Sequence, residues 1–223
     1  MKKLNILLTL ILAFTFIVGG CACNNEKAIS SEDALNVLKD SKIEENVIVT
    51  TTTETTVNET KTTSLQTDYY YNDKYYHTSD ANNLSTKTWY GYVDNVLYAF
   101  YYTKNANNEE VKYSTRIDDS TLTAAKSQTS IIKNSLFSES GTLLENHEIA
   151  GSKKGDTYTI QVTQNSQDES NIYTFTIEDG KIHKLIKTNN IGNDTIKTTY
   201  EYNYIVNDIN LPSISEYPLN ANE

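Results

Sequence analysis

Residues 47–71 read VIVTTTTETTVNETKTTSLQTDYYY, and the fold class turns on this stretch. Valine, threonine and tyrosine are the β-branched and aromatic types that suit a pleated, half-buried surface. The run is interrupted at Val57-Asn58-Glu59-Thr60, a turn candidate, so the stretch predicts two long antiparallel strands joined by a hairpin. Dense threonine also marks O-glycosylated stalks, but such stalks need proline, and no proline occurs before Pro212.

Turn chemistry recurs on both sides of this stretch: Asn72-Asp73, Asp80 to Asn83, Asp94-Asn95, Asn105 to Asn108, Lys154-Gly155, Asp179-Gly180 and Asn189 to Asp194. Each separates strand-like runs, which predicts a meander of hairpins. Apolar residues alternate with polar ones at Tyr158, Ile160 and Val162, at Tyr173, Phe175 and Ile177, and at Tyr200, Tyr202, Tyr204 and Val206. Such strands have one dry face. Val96 to Tyr102 is apolar on both faces, so that strand should be covered on each side or line a cavity as well as a core.

Two segments follow a helical period. Ser30, Ser31 and Asp33 precede Ala34, Leu35, Val37 and Leu38, the pattern of a capped short helix. Asp118-Asp119-Ser120 opens a second, in which Leu122, Ala125, Thr129, Ile132 and Leu136 follow steps of three and four and which ends near Gly141. Packing on the sheet is its expected role. After Ile205 the chain loses periodicity and runs through Pro212 and Pro218, so residues 213–223 are expected to form an irregular tail.

The first twenty residues have the form of an export signal: Lys2 and Lys3, then the apolar run Ile6 to Val18. Thirteen helical residues span roughly 20 Å, short of a hydrocarbon core of about 30 Å. Val18-Gly19-Gly20-Cys21 resembles the lipobox of bacterial lipoproteins, with valine in place of its leucine. The resemblance implies that Cys21 becomes the lipidated N-terminus, its acyl chains holding the protein at the membrane. Residues 21–29 would then be a polar tether, reaching at most about 30 Å at roughly 3.3 to 3.6 Å per residue. No cysteine follows Cys23, so the exported domain, expected over residues 30–212, has no disulfide.

Taken in order, the lipobox, the short helix, the tyrosine- and threonine-rich meander, the mid-chain helix and the endings Tyr200-Glu201-Tyr202-Asn203-Tyr204 and Asn210-Leu211-Pro212 resemble the LolA and LppX/LprG-like lipoproteins. That resemblance implies an α+β fold: an antiparallel half-barrel with helices packed on one face. It also implies carriage of a lipid or lipidated molecule between sheet and helices.

The chemistry of catalysis is hard to find. His77, His147 and His183 lie in different hairpin regions without metal-ligand spacing, and there is no H-E-x-x-H helix, cysteine cluster or G-x-S-x-G elbow. Gly151-Ser152-Lys153-Lys154-Gly155 lacks the strand-to-helix context of a P-loop and reads as a hairpin turn. No catalytic residue, metal or cofactor is expected. Overall the chain carries 19 basic against 29 acidic residues, which disfavours general nucleic-acid affinity. Against that background, Lys181, Lys184, Lys187 and Lys197 face only Asp194 within residues 181–200.

Two functions from different classes follow. The first is a non-catalytic binding lipoprotein at the outer face of the cell membrane, holding a lipid or other envelope amphiphile in a groove lined by Trp89, Tyr90, Tyr92, Tyr98, Phe100 and Tyr102. The second is a surface interaction protein whose Lys181, His183, Lys184, Lys187, Lys197, Tyr200 and Tyr202 form a patch for a polyanion, extracellular DNA or a wall polymer, with an adhesion or biofilm-matrix role. The ordinary explanation of such lysines is protection of sheet edges. High asparagine, lysine, isoleucine and tyrosine point to a low-GC Gram-positive source.

Overall fold

The computed structural model describes residues 26–81, 84–138, 141–165 and 169–220. The lipobox, Cys21 and the signal segment lie outside these residues. Twelve strands follow one another with two helical interruptions: β1 (Lys27–Ile29), α1 (Ser31–Asp40), β2 (Val47–Val57), β3 (Thr60–Tyr71), β4 (Lys74–Ala81), β5 (Leu84–Val93), β6 (Val96–Lys104), β7 (Glu110–Arg116), α2 (Asp119–Asn134), β8 (His147–Lys154), β9 (Thr157–Asn165), β10 (Glu169–Glu178), β11 (Lys181–Ile191) and β12 (Asp194–Asn203). They form a single antiparallel sheet in the order β1-β8-β9-β10-β11-β12-β2-β3-β4-β5-β6-β7. The sheet is not closed, and both helices lie on one face, giving a half-barrel of the α+β class.

Two-residue turns set the registers. Asn58 and Glu59, Asp94 and Asn95, and Asp179 and Gly180 all adopt positive φ, the geometry whose twist matches the flanking strands. The first turn pairs Val57 with Thr60 and carries the register without a slip to Val47 opposite Tyr70. The two runs read in residues 47–71 are these strands.

Side-chain alternation divides the sheet into an inner face, under the helices, and an outer face. On the inner face Ile160, Val162, Phe175, Ile177, Ile182 and Leu185 form the largest dry cluster. Helix α1 closes it with Ala34 and Leu38, both fully buried. Its N-terminus is capped as the sequence predicts, with the Asp33 N–H donating to Ser30 Oγ at 3.0 Å. Gly151 lets it approach: a Cβ there would stand 3.0 Å from that of Ala34 and 2.8 Å from Ile160 Cδ1. Helix α2 crosses the same face nearer β4, burying Leu122, while Asp118 caps it by accepting from the Thr121 N–H at 3.0 Å. Lys27–Ile29, within the segment expected as a tether, pairs with Lys153–Gly151 as a short edge strand.

The segment after Asn203 is irregular, and it acts as a strap over the outer face. Lys74 Nζ holds its start through Asp208 Oδ1 at 2.8 Å and the Ile209 carbonyl at 3.0 Å. Leu211 then sits against Gly91, where a Cβ would come within 2.5 Å of its Cδ1. Tyr217 packs edge-on against Phe100 at 6.0 Å and Trp89 at 5.8 Å. Pro218 and Asn220 bond the outward N–H and C=O of Ser114 in β7, covering part of a sheet edge. Strand β6 is thus dry on both sides, with Leu97 in the inner core and Tyr98 and Phe100 under the strap.

Replacing Gly91 by valine should displace Leu211 and loosen the strap. We expect a stability loss of about 1–3 kcal/mol by denaturant titration. Because Trp89 is the chain's one tryptophan, its emission should shift to the red; unchanged emission and stability would show that the strap is not seated on Gly91.

Candidate functional site

The inner face is not covered along its whole length. Toward the turns at 72–73 and 94–95 it lies beneath α2, which is tied to the rim by Lys126 donating to the Asn72 carbonyl and by the Tyr92 hydroxyl donating to Asp119. Beside the helix a cleft of about 450 Å³ opens between Gln128 and Ile132 above and strands β12, β2 and β3 below. Its floor is Val49, Thr51, Thr53, Gln66, Asp68 and Tyr70, with Thr198, Tyr200 and Tyr202 as one wall. Other hollows lie at the rims, one beside α1 near Tyr158 and one at the hairpin tips near Leu84 and Asn105.

Asp68 anchors the floor. It is 6% exposed, and both carboxylate oxygens are engaged. Oδ1 accepts from the Tyr75 hydroxyl at 2.7 Å and stands 2.9 Å from His77 Nδ1, while Oδ2 accepts from Gln66 Nε2 at 2.8 Å. An ionised carboxylate only accepts, so Nδ1 of His77 carries the proton in this contact. Burial acts to raise the Asp68 pKa and is the largest single influence on it. The bonds from His77, Gln66 and Tyr75 together outweigh it and hold the group below the ordinary carboxylate value. The same enclosure pushes the Tyr75, Tyr70 and Tyr202 hydroxyls upward, by burial first and by neighbouring Asp68 or tyrosines second. These phenols stay neutral: Tyr75 keeps its proton on Asp68, and Tyr70 and Tyr202 present theirs at the cleft.

Beyond Asp68 the chemistry of the face changes from apolar to hydroxyl-bearing. Val47, Tyr70, Tyr75 and Tyr90 form one cross-strand row, with Tyr75 and Tyr90 centroids 5.1 Å apart. Thr51, Gln66, Ser79 and Thr86, four residues along each strand and past the row of Asp68 and His77, form another. The cleft therefore has an aromatic end and a hydroxyl and amide end.

The residues expected to line one groove are divided between the two faces. Trp89, Tyr98, Phe100 and Tyr102 lie on the outer face, the first three about Tyr217 beneath the strap. Tyr102 takes Lys87 and Lys112 over its ring, each at 5.6 Å, and donates to Glu110 at 3.0 Å. Tyr90 belongs to the inner core, and Tyr92 stands exposed at its rim. The lysine group is divided as well. Lys181 pairs with Glu44 at 2.6 Å, Lys184 with Glu201 at 2.8 Å and Lys197 with Glu54 at 3.8 Å. Lys187 lies across the sheet from Lys184, over the Tyr173 ring at 5.8 Å. His183 meets Tyr204 edge-on at the bulge between β10 and β11. Tyr200 and Tyr202 are brought instead to the inner cleft.

The sequence reading weighs His77 only for metal-ligand spacing and misses its grouping with Asp68, Tyr75 and Gln66, although a signal for that grouping existed. A two-residue turn at Asn72-Asp73 places Tyr71 opposite Lys74 and hence Asp68 opposite His77 and Tyr70 opposite Tyr75. Counting back from the turn finds the pair. Gln128, by contrast, reaches the cleft through the placement of α2, which no local pattern shows.

No family model matches the chain, and no curated protein matches it. Among solved structures, a DUF1329 family protein from Desulfovibrio piger ATCC 29098 is similar over 82% of this chain and 94% of its own, at 11% identity and a TM-score of 0.28. At that score the likeness carries no argument, and the fold and site stand on the geometry above.

Since folding lowers the Asp68 pKa from 3.8, the unfolded chain binds the extra proton more readily. The stability Asp68 contributes is complete above about pH 4 and is lost as pH falls through the lower folded value. Denaturant titrations from about pH 5 to pH 2 should show that loss, and Asp68→Asn should flatten the curve over the same window while lowering stability at neutral pH. Parallel curves would separate Asp68 from the acid response.

Proposed function

We propose that this chain is a non-catalytic binding module whose ligand is an amphiphile held in the inner cleft beneath α2. The observation that carries the reading is the division within that cleft. Val49, Tyr70, Tyr200, Tyr202 and Ile132 offer an apolar wall, while Thr51, Thr53, Thr198, Gln66 and Gln128 offer hydroxyls and amides. A ligand with an apolar part and an uncharged or weakly polar part satisfies both. Asp68 serves as a fixed part of the floor, since all its contacts are internal. Among the described residues of the cleft none pairs a nucleophile with a free base, which favours binding over turnover.

The lipobox supports placement of this module at the outer face of a membrane, anchored through Cys21 and close to a source of amphiphiles. The polyanion reading has less in its favour, because three of its four lysines face acidic partners and the fourth is across the sheet.

Native mass spectrometry of the domain purified from its own host should show a co-purifying small molecule. Saturable binding of a fluorescent acyl probe should be insensitive to salt between low and physiological ionic strength. Thr198→Trp, which fills the cleft from a half-buried strand position, should weaken that binding at least about tenfold, roughly 1.4 kcal/mol. Full affinity in that variant, or the persistent absence of any adduct, would remove the cleft from consideration.

A further inference from the structure

The half of the inner face that the helices leave open is chemically unlike the rest of the molecule. One row across the strands reads Thr51, Gln66, Ser79, Thr86 and Thr103, and Thr53 and Ser64 begin the next. On these inner positions of β2 to β7, Asp68 is the one formally charged carboxylate, and it is already bonded three times. The outer positions of the same strands carry Glu54, Lys61, Lys87, Lys104, Glu110 and Lys112. Because charge alternates with the pleat, the neutrality belongs to this face and not to the composition of the strands.

The hydroxyls of Thr51, Ser64, Ser79 and Thr103 have no partner within the described residues. At the β6–β7 end of the face, Tyr101 and Tyr113 stack with centroids 4.9 Å apart and planes inclined by 22°. Neighbouring strands are about 4.8 Å apart, so the row from Thr51 to Thr103 runs for about 20 Å.

We propose that this trough binds an uncharged glycan strand laid across β2 to β7. Such a polymer presents hydroxyls that both donate and accept at short, regular intervals, and its apolar ring faces suit Val111 at the end of the row and the tyrosines that end the adjoining one. It brings no charge to be desolvated. An anionic polymer finds no cation in the row, and a cationic one finds only the saturated Asp68. An acyl chain would bury a line of hydroxyls without partners, each at a cost. The trough adjoins the amphiphile cleft and shares Thr51 and Gln66 with it, but does not depend on an amphiphile being bound.

The test is calorimetric titration of the protein with four uncharged hexasaccharides: β-1,4-glucose, α-1,4-glucose, β-1,4-mannose and β-1,4-N-acetylglucosamine. At least one should bind saturably and without salt dependence, while dextran sulfate should not compete. The double variant Ser79→Ala with Thr103→Val, which keeps strand-compatible side chains, should lose about tenfold in affinity. Thr86→Arg, which places bulk and charge in the trough, should abolish binding. Neither should alter acyl-probe binding, since these positions lie outside the cleft. Failure of all four sugars at millimolar concentration, equal binding of dextran sulfate, or undiminished affinity in both variants would overturn the proposal. Loss of acyl-probe binding alone would count against the cleft and leave the trough standing.

Discussion

A two-residue turn between antiparallel strands fixes their register to the residue, and much of this sheet hangs on such turns. A slip of one position would exchange the two faces of a strand. Here that exchange would move Val47, Val49 and Tyr70 into water and bring Glu54 and Lys61 toward the inner face. The positive-φ pairs at 58–59, 94–95 and 179–180 therefore do more than reverse the chain. They decide which face carries charge, and hence where a ligand can lie without losing its hydration uncompensated.

An open sheet of twelve strands presents two faces, and this chain covers each by a different means. The inner face is closed at the β9–β11 side by α1 and approached by α2 near β4, both amphipathic segments whose apolar positions the sequence displays. The outer face is covered locally by the strap, which has no period of its own and is held by Lys74, Gly91 and the edge of β7. What the helices leave exposed on the inner face is mostly polar, with Val57, Leu84 and Val111 standing singly at its margins, so the opening does not create a contiguous apolar patch that would invite aggregation. Cover and opening are complementary consequences of one residue pattern.

Much of this architecture was legible in the sequence. The strands of residues 47–71, the capped helices and the doubly buried β6 followed from alternation, caps and turn chemistry, all of which act within a few residues. The open sheet with helices on one face is also what the likeness to LolA and LppX-type lipoproteins implied. The candidate site was less legible, and the reason is the pleat. Trp89 and Tyr90 are adjacent in sequence and lie on opposite faces of the sheet, as do Lys184 and Leu185. Grouping aromatic or basic residues by nearness in sequence therefore merged groups that the sheet separates. The strap over Trp89, Tyr98 and Phe100 was equally hidden, because its contacts depend on fit to an already formed surface.

Asp68 shows how a single buried charge is accommodated on such a face. A carboxylate nine-tenths removed from water is costly unless each lone pair finds a donor. Three donors come from three strand positions, Gln66 on its own strand and Tyr75 and His77 on the next, so the charge is stable only when the β3–β4 register is correct. The misregistered hairpin would leave it unpaired in an apolar row. The group is thus a penalty on the wrong pairing as much as a contact in the right one. It also marks the line on the inner face where tyrosine gives way to threonine, serine and glutamine, with its own hydrogen-bonding capacity turned inward. In the proposed reading, ligand contacts fall to neighbouring hydroxyls such as those of Thr51 and Ser79, for which the described residues supply no partner.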